Sequence, residues 1–151
     1  MKRLSERIRE LTPRSRGWSL DEIIHVINRY LAGWLGHFRV CTQGIKRVVH
    51  NTDAHIRRRL RAIVLKHWKR KRTIARRLIR LGVRPRTAWR RVYEGRKSLW
   101  ALSHDVVVHR GLSNRFFAEQ GLVSLERRFE GIWETNRALE QRQLTSEPSR
   151  S

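Results

Sequence analysis

Cysteine occurs once in the 151 residues, at Cys41, so a disulfide framework and a zinc site built from several thiolates are both excluded within this chain. Apolar runs are short. None approaches the roughly 20 residues needed to span a bilayer, and the opening MKRLSERIRE has no apolar signal core. These absences point to a soluble, unexported chain, with the cytoplasm as the expected setting. Acidic residues are also scarce: 13 Asp and Glu stand against 35 Lys and Arg, a formal net charge of +22. Self-repulsion of that size opposes folding unless a polyanion shares the surface, and nucleic acid is the default polyanion.

The charge is concentrated rather than spread. Residues 1–53 carry 10 basic and 5 acidic side chains, residues 54–97 carry 18 and 1, and residues 98–151 carry 7 and 7. Net charge therefore runs +5, +17 and 0 along the chain. A surface charged only for solubility mixes the two signs, whereas a block of one sign is an electrostatic footprint.

Six Trp, four Phe and many branched apolar residues among the charges argue against a disordered basic tail. Their spacing is helical. Leu4, Ile8 and Leu11 predict a helix over 2–11, ended by Thr12-Pro13. Ser19 with Glu22 three residues on is a capping-box pattern that opens a second helix, whose stripe Ile23, Ile24, Ile27, Leu31, Trp34 and Leu35 runs to about residue 35. Gly33 and Gly36 there fit either close packing against a neighbouring backbone or a frayed end. CTQG at 41–44 reads as a turn. The row Ile45, Val48, Val49, Thr52, Ile56, Leu60, Ile63, Val64 and Trp68 predicts the longest helix, which Asn51-Thr52-Asp53 could interrupt because those side chains compete for backbone hydrogen bonds. A fourth helix over 73–81, with Ile74, Leu78 and Leu81 inward, stops at Gly82; Pro85 suits the first turn of a fifth. Beyond Gly95 the pattern weakens. Val106-Val107-Val108 reads as loop, Asn114–Gln120 as a short helix capped by Ser113, and Ser124 opens a last helix with Leu125, Phe129, Ile132 and Trp133 on its apolar side. The class is all-α: a bundle of three longer helices followed by shorter ones, divided as 1–81, a helical extension at 82–144, and a disordered tail at 145–151.

The order of segments carries a resemblance. RIRELTPRSRGWSLDEIIHVINRYLAGWLGHF, followed by the basic helix HIRRRLRAIVLKHWKRKR, resembles the maturase-specific region, or X or thumb domain, of group II intron-encoded reverse transcriptases. KSLWALSHD and SNRFFAEQGLVSL resemble the segment C-terminal to that region in bacterial members, so the likeness covers about residues 1–133. It implies a helical thumb that holds template-primer duplex and binds structured intron RNA, assisting splicing and mobility; whether the chain is a deliberate domain, a degenerate gene or a split one stays open, and in the last case a separate polymerase chain is a further partner. It equally implies that this chain is a C-terminal piece, without the fingers and palm or the Asp-Asp motif, and so not an enzyme on its own.

The residues expected to contact RNA are Arg57, Arg58, Arg61, Lys66, Lys69, Arg70, Lys71, Arg72, Arg76, Arg77, Arg80, Arg90 and Arg91. Lysines neutralise phosphate as point charges and an Arg fork holds it bidentately or stacks on a base. The narrow major groove of duplex RNA hinders base readout, so backbone shape, junctions or loops are the expected targets. Trp34, Trp68 and Trp89 are expected in the core, with base stacking as the alternative for each, while Trp18 is a candidate staple for the second helix. His50, Asp53 and His55 are a weak metal constellation at the wrong helical spacing, and His104-Asp105 a weak acid/base pair, so no metal, cofactor or catalytic residue is expected. A nuclease-type enzyme or a generic basic RNA-binding protein is the alternative function. Glu94 as the block's lone carboxylate disfavours the first, since phosphoryl-transfer enzymes gather metal-binding carboxylates. A membrane-surface helix is disfavoured because the apolar residues are distributed as in a bundle interior.

Overall fold

The computed structural model describes residues 2–37 and 44–146, and these form nine helices with no strand. They are α1 (Lys2–Leu11), α2 (Leu20–Gly36), α3 (Gly44–Trp68), α4 (Lys71–Arg80), α5 (Pro85–Tyr93), α6 (Leu99–Leu102), α7 (Val106–Gly111), α8 (Asn114–Glu119) and α9 (Leu125–Ser146). The all-α expectation holds. The 22-residue α9 is longer than expected, second only to the 25 residues of α3. Of the CTQG turn only Gly44 is described, at the start of α3, and positions 41–43 lie outside the described residues; so do 147–151 of the tail, while Thr145 and Ser146 belong to α9.

α3 is the axis of the bundle, and α1, α2, α4, α6 and α9 pack against it. The middle of its apolar row is buried, with Val49, Ile56, Leu60 and Ile63 all at 2% exposure or less, and Ile45, Val48 and Trp68 are partly buried. Buried side chains from Leu4 in α1 to Phe129 in α9 join in one hydrophobic cluster. The Asn51-Thr52-Asp53 step does not interrupt α3, and the Thr52 and Asp53 side chains are engaged without competing for that helix's own amides. Thr52 Oγ1 donates to the Val48 carbonyl one turn back (2.7 Å). Asp53, 3% exposed, turns outward to another helix: its carboxylate accepts from Ser124 Oγ (2.8 Å), Leu125 N (3.0 Å) and Glu126 N (3.2 Å). The first turn of α9 is thus capped from the middle of α3, which satisfies orphan amides that no residue of α9 reaches.

Two further long-range ties fix the bundle. Asn28 of α2 donates from Nδ2 to the Gly121 carbonyl (2.7 Å) and accepts from Val123 N (3.0 Å), clasping the α8–α9 connection. Arg59 of α3 donates to the Thr12 hydroxyl and, from its terminal nitrogen, to the Thr12 carbonyl (2.9 Å), placing a cation at the C-terminus of α1 where the helix dipole favours one.

Local signals behave as their chemistry requires. Ser19 and Glu22 form the reciprocal capping box of α2, and the Ser19 N–H holds the Glu22 carboxyl below its ordinary range. α4 ends with Gly82 at φ +98 and a Val83 N–H to Leu78 carbonyl bond (3.1 Å), the left-handed stop that glycine alone adopts cheaply. Val83 fills the apolar position beyond that stop and is buried, which leaves Leu81, expected inward, 37% exposed.

Val106–Val108 is a correction. The segment opens the short helix α7, because Asp105 accepts from Val107 N (3.1 Å) as its N-cap and burial of Val107 and Val108 overrides the strand preference of branched residues. Gly33 and Gly36 face open space, so close backbone packing is not their role; the tight glycine is Gly111, where an added Cβ would lie 2.5 Å from Leu78 Cδ2.

Candidate nucleic-acid interface

The sequence that builds the candidate site is the second half of α3, the two-residue link, and the α4–α5 hairpin. α3 must bury Leu60, Ile63, Val64 and Leu65, so its remaining positions point to solvent, and there stand Arg58 and Lys66, exposed, with Arg57 half-buried. Lys69 and Arg70 form the link, both exposed, with Lys69 at φ 62. A left-handed lysine costs about 1–2 kcal/mol against its ordinary backbone. It is the one non-glycine residue in that region among those described.

α4 buries Ile74, Ala75 and Leu78, which leaves Arg72, Arg76, Arg77 and Arg80 exposed and Lys71 half-buried. α5 buries Ala88 and Val92 and exposes Arg90, with Arg91 half-buried. α4 packs more extensively against α5 than any other helix pair in the bundle, so the two present their charge from one hairpin.

Arg61 does not belong to this surface. It is 6% exposed, donates from Nε to the Leu112 carbonyl (2.9 Å) and from its terminal nitrogen to Asn114 Oδ1 (3.3 Å), and lies 5.8 Å from the centre of the Phe117 ring. Burial, with Arg57 and Arg58 adding repulsion, pushes its pKa down to about 10, so it stays charged at neutral pH. Its role is to fasten α3 to the α7–α8 connection, and the expectation that it faces RNA is corrected on that ground.

The remaining cations are largely unmatched. Among the described residues, Arg91 alone of the twelve forms ion pairs, to Glu94 (3.1 Å) and Asp105 (3.6 Å). Glu94, the block's lone acid, is thereby engaged. Arg84 and Arg86, exposed beside Pro85, extend the set; their place in the same charge block is the signal that finds them.

Aromatic rings accompany the charge. The Arg77 guanidinium lies 5.6 Å from the Trp68 ring centre, and Trp68, half-buried, packs against the core as expected. A cleft of about 340 Å3 opens here, lined by Leu20, Val64, Trp68, Phe116, Arg77 and Arg80 among others. Trp34 and Trp18 are likewise half-buried against the core. Trp89 departs from its core assignment: it is 36% exposed and stacks on Tyr93, because the smaller Ala88 and Val92 occupy the buried side of α5.

The histidine and carboxylate candidates have structural engagements. Asp53 caps α9, His50 lies 3.4 Å from Glu126, and among the described residues no three His, Cys, Asp or Glu side chains gather as metal ligands. His104 Nδ1 donates to the Trp100 carbonyl (2.8 Å). Asp105 is partly desolvated, which alone raises its pKa, but the Val107 N–H, Lys97 (3.1 Å) and Arg91 outweigh that and hold it below the usual carboxylate range. No described helix is long and apolar enough to cross a membrane.

Residues 1–82 match the family described as the group II intron, maturase-specific domain. More than half of the chain is covered. The protein belongs to the group II intron maturase-specific domain family. Comparison with curated proteins gave no match. The maturase-specific match takes in α1 to α4 and the Gly82 stop, and with them the exposed cations from Arg58 to Arg80; α5 and its arginines lie beyond it. Membership carries a maturase-type function directed at group II introns.

Proposed function

We propose that the chain binds structured group II intron RNA through the cationic surface of α3, the Lys69-Arg70 link, α4 and α5, and thereby assists splicing. One observation carries the reading: Arg58, Lys66, Lys69, Arg70, Arg72, Arg76, Arg77, Arg80 and Arg90 are exposed in one stretch of chain, and among the described residues no carboxylate pairs with any of them. Unscreened cations at that density raise the free energy of the folded chain unless phosphates neutralise them, and releasing the counterions condensed on RNA supplies the driving force. The deep, narrow major groove of duplex RNA favours recognition of backbone shape over base edges by such a helical surface. Residues 1–81 act as the binding unit and residues 82–144 as an extension whose α5 continues the charged surface. The same surface suits a template-primer duplex held for a separate polymerase chain.

Arg76 and Arg80 sit one turn apart on the exposed side of α4, clear of the core. Arg76→Glu with Arg80→Glu lowers affinity for a folded intron RNA by at least about tenfold and flattens the dependence of log K on log salt by about 2. Unchanged affinity and slope in a variant with native circular dichroism refute the reading.

A further inference from the structure

The solvent face of α5 combines aromatic rings with arginines. Arg86, Trp89, Arg90 and Tyr93 fall at i, i+3, i+4 and i+7, so they share one side of the helix, while Ala88 and Val92 are fully buried on the other. Trp89 and Tyr93 are 36% and 51% exposed, their ring centres are 6.0 Å apart, and their planes differ by 22°. Neither ring belongs to the buried hydrophobic cluster. An exposed two-ring stack framed by two arginines, with Glu94, the nearest acid in sequence, tied to Arg91, combines a π surface with a cationic one.

From this we infer that Trp89 and Tyr93 form a stacking platform for unpaired nucleotides of the bound RNA, with Arg86 and Arg90 holding the flanking phosphates. The inference rests on the RNA-binding reading above and adds to it a preference for loops and bulges, located outside the residues that match the family. Bases stack on aromatic side chains without regard to sequence, and a cationic track beside the rings follows the backbone. Nucleotides in a stack rise about 3.4 Å, so a base sandwiched between two rings needs them about 7 Å apart. The ring centres are 6.0 Å apart, closer than that, and a base therefore adds to the outer side of the pair, extending it to three.

Trp, Tyr and Arg also anchor protein interfaces. A second copy of this chain is disfavoured as occupant because each copy carries +22, and a base carries its own counter-charge in the adjoining phosphate.

The test uses the full chain and two RNAs that share a stem: a hairpin with a single-stranded loop carrying 2-aminopurine, and the same stem as a blunt duplex. Wild type quenches the loop fluorophore on binding. Trp89→Ala with Tyr93→Ala weakens hairpin binding by about tenfold, abolishes the quenching and leaves duplex binding within about twofold. Tyr93→Ala alone, a milder change at the more exposed ring, produces a smaller loss of the same kind should the double variant misfold. Equal affinity of wild type and variants for the hairpin overturns the platform while leaving RNA binding intact, as does an equal loss on both RNAs. Failure of wild type to bind either RNA at low salt overturns both readings. A change in oligomeric state without change in loop binding assigns the face to protein association and overturns the platform.

Discussion

Asp53→Ala is the sharpest test of how the bundle is held. The carboxylate is 3% exposed and accepts three hydrogen bonds, two of them from backbone amides in the first turn of α9. Truncation removes an N-cap, worth typically about 1 kcal/mol, and a charge at a helix N-terminus, worth up to about 2 in a partly buried setting. It also strands the Leu125 amide, which is buried and costs about 1–3 kcal/mol when unpaired. Relief of burying a carboxylate offsets part of this, leaving a net loss of about 2–4 kcal/mol. Against a typical domain stability of about 5–15 kcal/mol that is a large fraction. Urea unfolding followed by circular dichroism should show the midpoint falling by about 1–2 M at ordinary m-values. Asp53→Asn keeps one acceptor oxygen and should lose less. Because Ser124 shares the network, Asp53→Ala and Ser124→Ala should be non-additive by more than about 0.5 kcal/mol. A midpoint within error of wild type, or full additivity with Ser124→Ala, refutes the assignment of Asp53 as the cap that ties α9 to α3.

The other predictions concern buried cations and histidines. Arg61→Glu should unfold the chain, at a cost above about 4 kcal/mol, because it buries a carboxylate against the Leu112 carbonyl; Arg61→Met should cost about 1–3 kcal/mol while RNA affinity of the folded variant stays at the wild-type value, checked by thermal melts and filter binding. His55 has its pKa lowered by burial, then by Arg59, Arg9 and Arg58, and His109 by burial and then Arg61. A base whose folded pKa lies below the unfolded value of about 6.5 binds protons more readily when unfolded. Stability is therefore complete above about pH 6.5 and declines as pH falls below it towards the lowered folded values. His55 Nε2 is buried without a hydrogen-bond partner among the described residues, so His55→Gln should reduce the drop in urea midpoint between neutral and mildly acidic pH; a drop as large as in wild type counts against the mechanism.

Much of this architecture is legible in local chemistry. Capping residues, the Gly82 stop, Pro85 and the periodic apolar rows decide helix existence through interactions within a turn or two, and those are printed in adjacent residues. The cationic block is legible because charge adds along the chain regardless of fold. Asp53 is not: within its own helix it looks like a breaker, and only the arrival of α9, more than seventy residues on, turns its carboxylate into a cap. Arg61 escapes sequence reasoning for the converse reason. Composition counts a guanidinium as surface charge, whereas here a carbonyl, an amide oxygen and a ring face converge to replace its water.

What the sequence alone determined, then, is the helical class, most helix ends and a dense cationic block, since each depends on short-range preference or summed charge. Tertiary structure decided which of those charges face solvent, which way Trp89 turns, and that Val106–Val108 is helical. Those outcomes depend on what packs against each side chain from distant parts of the chain, and no local pattern contains that information.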